Sequence, residues 1–494
     1  MDIYVPKILT EISQLWPIIV LFLAIGMILL AEITLDARLV RMLRGVIISF
    51  CLLAAMLTSF NFLIDPAIDF MDMNLLAGGI VPDRIFLFGS MFLSLCFLAI
   101  FIVSEALTDV DQNRSIFLCL LLAGLAGTIL IGATRHLVVL LLAVELASLP
   151  IYALVARPSS SSTCYSDVGL RYILTGMFCS AVTALGVSLL YAVAGSFHFQ
   201  KIALRISIGG IEPAEIFALV CLAAGIAFKL MLVPLARAGV DVIASVRIDL
   251  GIWLVLAGAT AGLAVLARFI QILAWFADDS FNAGMAGVLA IIFGITILAG
   301  SVGAFRSSSV KRLLAWSSVV HIASMAMGLL IWSDRSGLAS ILVYLIIFAL
   351  ATVGVFSIAG LVERSFGTDR LESFVGMSYK NPFLAVVMTV LLLSLVGVPP
   401  LAGFIAKWNL FTALWTQELS WSALGILAAS FLSIFYYLRI VRAMYSKPMD
   451  LIVIKIPSPV AVIVGGCAIG CFALFFLRNL LINLSYSLLT SFWG

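Results

Sequence analysis

Four ionisable side chains stand inside long apolar runs of this 494-residue chain: Glu145, Lys229, His321 and Lys407. A charge near the centre of a bilayer costs about 2.5–3.5 kcal/mol on insertion scales, so each one asks for a partner, a water cavity or a role. The types suit proton exchange. A buried lysine loses proton affinity through desolvation and regains it beside a carboxylate, and an imidazole titrates near pH 6.5. At about 4 Å and an effective dielectric near 20, a lysine–carboxylate attraction is worth about 4 kcal/mol, equivalent to about three pKa units. Moving Glu145 away from Lys229 by several ångströms would therefore switch that lysine from holding a proton to releasing it.

Local sequence supports each position. Glu145 lies about ten residues, roughly 15 Å of helix, from Arg135 and from Arg157, out of reach of either membrane surface. Lys229 is followed by Pro234, which removes a backbone donor and breaks or kinks a helix. Lys407 follows Gly397-Val398-Pro399-Pro400, the same device in reversed order. His321 comes ten residues after Lys311. Plainer readings stand beside these: a packing histidine at 321, an ionic lock between Glu145 and Lys229, and a Lys407 that snorkels to the interface.

Long apolar helices must position these groups. The chain is 64% hydrophobic and 11% charged, against about 25% charged for a soluble domain. Runs long enough to cross the hydrocarbon core, about 20 residues, number fourteen: 13–33, 43–64, 84–104, 115–133, 136–156, 168–195, 213–235, 248–275, 284–304, 311–333, 337–362, 382–416, 421–445 and 459–483. The first is read as a membrane helix, because it follows Asp2 and Glu11 and no small-residue cleavage site is evident. The expected fold is an all-α polytopic membrane protein with discontinuous seventh and twelfth helices.

Helices four to eight and nine to thirteen form two sets of five. In each set the second helix carries a central ionisable group and the fourth a lysine beside a proline break. Two odd-numbered sets in succession have opposite orientation, the plan of inverted-repeat transporters. The expected organisation is residues 1–114 for the first three helices, 115–275 and 284–445 for the two repeats, and 446–494 for the last helix.

Loops joining odd to even helices hold 18 lysines and arginines, including Arg38, Arg41, Arg44, Arg306, Lys311, Arg312, Arg439 and Arg442, against 8 on the other side. The positive-inside rule places those loops in the cytoplasm and both termini across the membrane. Arg38, Arg41, Arg44, Arg439 and Arg442 read as topology determinants and lipid contacts, and the phenylalanine-rich stretches as membrane surface. The longest polar stretch, from Glu363 to Lys380, is too short for a soluble domain.

The net charge of +3 names no partner, and no basic cluster suits nucleic acid. Seven of the eight cysteines fall in apolar runs and Cys164 in a loop, which argues against zinc, iron–sulfur and disulfide readings. No flavin or NAD glycine fingerprint and no haem pattern is present.

The run Glu145-Leu146-Ala147-Ser148-Leu149-Pro150-Ile151-Tyr152 resembles the helix-five signature of subunit N of the proton-pumping NADH:quinone oxidoreductase, respiratory complex I. The likeness continues through Arg171-Tyr172, Phe228-Lys229-Leu230 with Val233-Pro234, Val310-Lys311-Arg312-Leu313-Leu314-Ala315-Trp316-Ser317-Ser318 with His321, and Gly397-Val398-Pro399-Pro400-Leu401-Ala402-Gly403-Phe404-Ile405-Ala406-Lys407. It covers most of the chain. The resemblance implies an antiporter-like subunit of a respiratory translocase in the bacterial inner membrane, with Glu145, Lys229, His321 and Lys407 as its proton relay and Asp167, Arg171, Asp241 and Lys311 as secondary relay positions. It implies no cofactor in this chain, with NADH, FMN, iron–sulfur clusters and quinone handled by partner subunits. It also implies the antiporter-like subunits L and M, the small subunits J, K and A, and lipids as neighbours.

Two departures stand out. The segment Leu235-Ala236-Arg237-Ala238-Gly239-Val240-Asp241 keeps only the aspartate of the family's pattern, and Ala259 falls where the family places its helix-eight lysine. Arg171 stands for the commoner lysine and Asp167 for glutamate. The rival readings are an Mrp-type cation/proton antiporter, a membrane-bound hydrogenase subunit, and a non-pumping structural subunit of complex I.

Overall fold

Lipid offers no partner for a backbone amide, so a chain this apolar satisfies its main chain inside helices. A computed structural model of the protein describes residues 15–64, 79–107, 113–156, 164–209, 213–276, 279–331, 334–447 and 454–489. Twelve helices among the described residues are long and apolar enough to cross a membrane. In chain order the helices are α1 (Trp16–Thr34), α2 (Ala37–Ile64), α3 (Arg84–Leu107), α4 (Arg114–Ala133), α5 (Leu137–Val155), α6 (Cys164–Ala194), α7 (Phe199–Gly209), α8 (Pro213–Lys229), α9 (Ala236–Ser245) and α10 (Ile248–Phe276). They continue with α11 (Asp279–Arg306), α12 (Val310–Met327), α13 (Arg335–Phe366), α14 (Met377–Lys380), α15 (Pro382–Val396), α16 (Ala402–Thr416), α17 (Ser420–Tyr445), α18 (Ser458–Phe476) and α19 (Arg478–Leu488).

The seventh expected run, 213–235, thus holds α8 and the break after it, with α9 starting just beyond its end, and the twelfth is α15 plus α16. Proline removes the donor at each break, and at the second Gly397 takes the left-handed conformation (φ 92°) that caps α15 without a Cβ penalty. The fourteenth expected run ends at Phe476, and α19 follows as a separate helix. The short α7 lies between α6 and α8, a helix that the apolar runs did not reveal. Cys164, expected in a loop, is the first residue of α6, while residues 157–163 and the termini beyond residues 15–489 lie outside the described residues.

Hydroxyls inside the helices return their hydrogen bonds to the preceding turn. Ser148 donates to Val144 O (2.6 Å), Thr183 to Cys179 O (2.8 Å) and Thr260 to Leu256 O (2.8 Å). This lets polar side chains sit in an apolar core at small cost. The core is widest around α12 and α13, which are enclosed nearly all round, whereas α1, α2, α6 and α18 show most of their surface outward.

Ionic ties hold the helix ends. On one face Arg268 of α10 meets Asp83 (2.7 Å), both buried, and also donates to Gly132 O. On the other, Arg114 pairs with Glu105 (3.0 Å) and with buried Asp249 (3.3 Å), Arg247 reaches Asp249 (2.9 Å), and Arg44 reaches Glu105 (3.4 Å). Arg44 is therefore not a lipid contact: it is almost fully buried, because Glu105 at the end of α3 compensates it. Arg439 likewise turns inward, donating to the carbonyls of Phe305 and Ser307 at the end of α11.

Candidate functional site

Both lysines sit at an interrupted helix. Lys229 is the last residue of α8. Lys407, on α16, donates from Nζ to the carbonyl of Val396, the last residue of α15, at 2.9 Å. The C-terminal end of a helix carries about half a negative charge, and Lys407 meets such a fixed partial anion at the interrupted α15, whereas Lys229 is itself the last residue of the interrupted α8. The proline breaks create those ends at membrane depth.

Close packing holds the breaks in place. A Cβ on Gly403 would fall onto the Ser394 carbonyl, so only glycine lets α16 cross the end of α15 there, and its N–H is taken by Ser394 Oγ (3.2 Å). At the first break a Cβ on Gly258 of α10 would lie 2.9 Å from the Lys229 carbonyl. The amide of Val233 donates to Thr296 Oγ1 of α11 at 3.2 Å, which ties the first interrupted helix to the second half of the chain.

Lys229 is half-buried and borders two cavities. One, of about 40 Å³, lies between α5, α6, α8 and α10, with Leu137 at the start of α5 and Ile131 among its walls; Ser148, Tyr152, Ser180 and Thr183 put hydroxyls on an otherwise apolar lining. The other, of about 30 Å³, is walled by Thr128, Tyr172, Trp253, Ala257, Gly258 and Ala261. A water molecule needs roughly 10–15 Å³ measured this way, so both sides of the lysine have room for water. Glu145 lines neither cavity. Its Oε1 is buried without a hydrogen-bond partner, and among the described residues it forms no ion pair with Lys229 within 4.0 Å.

In the second half His321 is enclosed, and both ring nitrogens meet tyrosine hydroxyls: Nδ1 with Tyr344 of α13 at 2.9 Å, Nε2 with Tyr437 of α17 at 3.2 Å. The ring can thus take a proton at one nitrogen and pass one from the other.

The remaining predicted positions lie apart from this pair of centres. Asp167 and Arg171 are exposed on α6. Asp241 pairs with Arg312 of α12 and, at 3.7 Å, with the exposed Arg237. Lys311 is buried, donates to both Glu363 carboxylate oxygens (3.0 Å each) and to Val246 O (3.0 Å), and so joins α12, α13 and the chain before α10. Ala259 is fully buried but lines neither cavity beside Lys229. At about 100° per residue it lies about 160° round α10 from Ala257 and Ala261, on the side of Gly262, which lines the first cavity. Tyr344 and Tyr437 escaped the sequence reading, since an isolated tyrosine in an apolar run looks like packing; their one signal was a hydroxyl at membrane depth.

The family model for the transmembrane region of NADH:quinone oxidoreductase and Mrp antiporter subunits matches residues 134–434. A NADH-quinone oxidoreductase subunit N of Heliobacterium modesticaldum is 32% identical over 370 residues, 73% of this chain and 76% of the relative. Among solved structures, a chain of respiratory complex I from Thermus thermophilus with bound aureothin aligns at TM-score 0.76 and 24% identity, covering 94% of this chain and 98% of that one. A chain of the Mrp complex from Dietzia sp. aligns at TM-score 0.83 and 20% identity, covering 97% of each.

Proposed function

We propose that this chain, which belongs to the family of NADH:quinone oxidoreductase and Mrp antiporter membrane subunits, is a subunit N of the membrane arm of a proton-pumping NADH:quinone oxidoreductase and carries protons through Lys229 and Lys407. The observation that carries the reading is the lysine at each of the two breaks, Lys229 as the last residue of the half-helix α8 and Lys407 hydrogen-bonded to the last carbonyl of the half-helix α15.

In this reading Glu145 modulates Lys229, water in the flanking cavities brings the proton in, His321 with its two tyrosines hands it on, and Lys407 releases it to the far exit or the next subunit. Asp167, Arg171, Asp241 and Lys311 serve at most as secondary positions. Asp241 and Lys311, both ion-paired, link moving parts; Asp167 and Arg171, facing outward on α6, face lipid or a neighbouring subunit.

Residues 115–275 and 284–445 act as two inverted repeats. In both, the first helix packs on the second (α4 on α5, α11 on α12) and the third on the lysine-bearing fourth (α6 on α8, α13 on α16). Charge asymmetry orients the loops rich in arginine and lysine to the cytoplasm of a bacterial inner membrane, with both termini opposite. Electrons travel in other subunits, which hold FMN, iron–sulfur clusters and the quinone site. Subunits of the L, M, J, K and A types and lipids surround the chain.

A structural role without pumping has one observation in its favour: Ala259 offers no titratable group between the halves, and among the described residues no hydrogen bond joins Lys229 to His321. The deciding experiment is NADH-driven proton translocation in vesicles carrying the assembled complex with Lys229→Ala, with NADH oxidation recorded in parallel. A fall in translocation or coupled turnover is expected. Unchanged protons per electron in a fully assembled complex would leave the chain a scaffold.

A further inference from the structure

Two of the three histidines of the chain take no part in the relay. His136 and His198 precede α5 and α7 and face each other across an antiparallel bridge. The amide of Leu137 donates to Phe197 O (2.9 Å) and that of Phe199 to Arg135 O (3.1 Å). This frame makes 136 and 198 the non-hydrogen-bonded pair, the closest cross-strand side-chain arrangement a backbone offers. The imidazoles stand 4.8 Å apart between centroids at 86°. Phe197, stacked on Tyr191 (4.2 Å), closes one side of His136 at 5.5 Å. Both rings remain partly exposed, and His136 Nδ1 is enclosed with no hydrogen-bond partner.

We propose that His136 and His198 form a two-histidine site for a divalent transition-metal ion of the zinc and copper class, one residue before Leu137, a lining residue of the cavity that reaches Lys229. Imidazole nitrogens bind such ions at about 2.0–2.1 Å, and a tetrahedral angle between two of them sets ring centroids roughly 5 Å apart, close to the spacing found. The rings therefore need little more than a rotation. No third histidine, cysteine, aspartate or glutamate completes a cluster among the described residues, so water or a partner subunit fills the remaining positions.

Charge does not oppose the ion. Neighbouring residues of an extended segment point to opposite faces, which sets Arg135 on the face opposite His136. Leu137, next in the chain, lines the cavity. A bound ion therefore sits where it can obstruct entry, a consequence that rests on the proton-path reading, whereas binding itself does not.

The test is copper(II) electron paramagnetic resonance on the full chain in lipid nanodiscs, with His136→Phe and His198→Phe keeping a ring in the bridge. The third histidine, His321, is buried with both nitrogens engaged, so the signal reports this pair. The parent should show coupling to two imidazole nitrogens, and each variant should lose one of them and about a hundredfold in affinity, as expected when one of two tethered donors is removed. Identical copper binding in parent and variants would overturn the site. Zinc should also slow translocation in vesicles of the parent complex and spare both variants. If the copper result holds and zinc leaves translocation untouched, the site stands and the proton path past it falls.

Discussion

Lys407→Met is the sharpest perturbation of the proposed path, because methionine keeps most of the side-chain volume and removes only the charge. Lys407 is almost fully buried, its Cδ lies 3.1 Å from where a Cβ on Gly397 would stand, and its ammonium donates to Val396 O at 2.9 Å. A hydrogen bond to a charged group contributes about 1.5–3 kcal/mol. If that is the stabilisation the site gives a passing proton, its loss raises the barrier equally, and at 1.36 kcal/mol per decade the proton step slows by about tenfold to 150-fold. The assay is NADH oxidation with dye-reported acidification in sealed vesicles, with and without uncoupler, on complexes shown to be fully assembled. Turnover and acidification per NADH both within twofold of the parent would refute the reasoning, since a group on the path cannot be dispensable to both.

Three further substitutions separate structure from transport. Arg268→Met strands the fully buried Asp83 carboxylate and should cost about 3–5 kcal/mol, read as a lower thermal midpoint that Asp83→Asn largely restores. Tyr344→Phe and Tyr437→Phe each remove one partner of His321, worth about 0.5–1.5 kcal/mol; coupled turnover should fall several-fold in each and further in the pair, and an unaffected double variant would take His321 off the path. Ala261→Leu pushes three carbons between the two cavities beside Lys229, which both border Ala261; translocation should drop while assembly, checked by native gel, persists.

The spans and the breaks were legible because their causes are local. Twenty apolar residues, a proline beside a lysine, and Gly397 each carry their meaning within one turn of helix. What escaped depends on residues far apart in the chain. Tyr437 lies 116 residues from the imidazole it meets, and Asp249 lies 135 from Arg114. Arg44 read as a lipid contact for the same reason: Glu105, which buries it, is 61 residues away. Lys407, placed by its sequence near a possible helix end, instead turns inward, because a carbonyl freed by the break is a better partner than a distant interface.

Ala259 can be judged on the same grounds. Ala259 lines neither cavity beside Lys229, but Gly262, on the same face of α10 three residues on, lines the first, so a lysine at 259 would stand at the edge of that cavity. In this chain the wall beside Lys229 is built from Ala257, Gly258 and Ala261, and small side chains leave volume that water can occupy. The neighbouring joint is the Val233 amide on Thr296, a hydrogen bond between the first interrupted helix and the second half. The missing lysine therefore leaves the halves mechanically joined and deprives them of one fixed charge. A relay through this chain must cross that gap by water, and the residues that control it are the small ones of α10, none of which titrates.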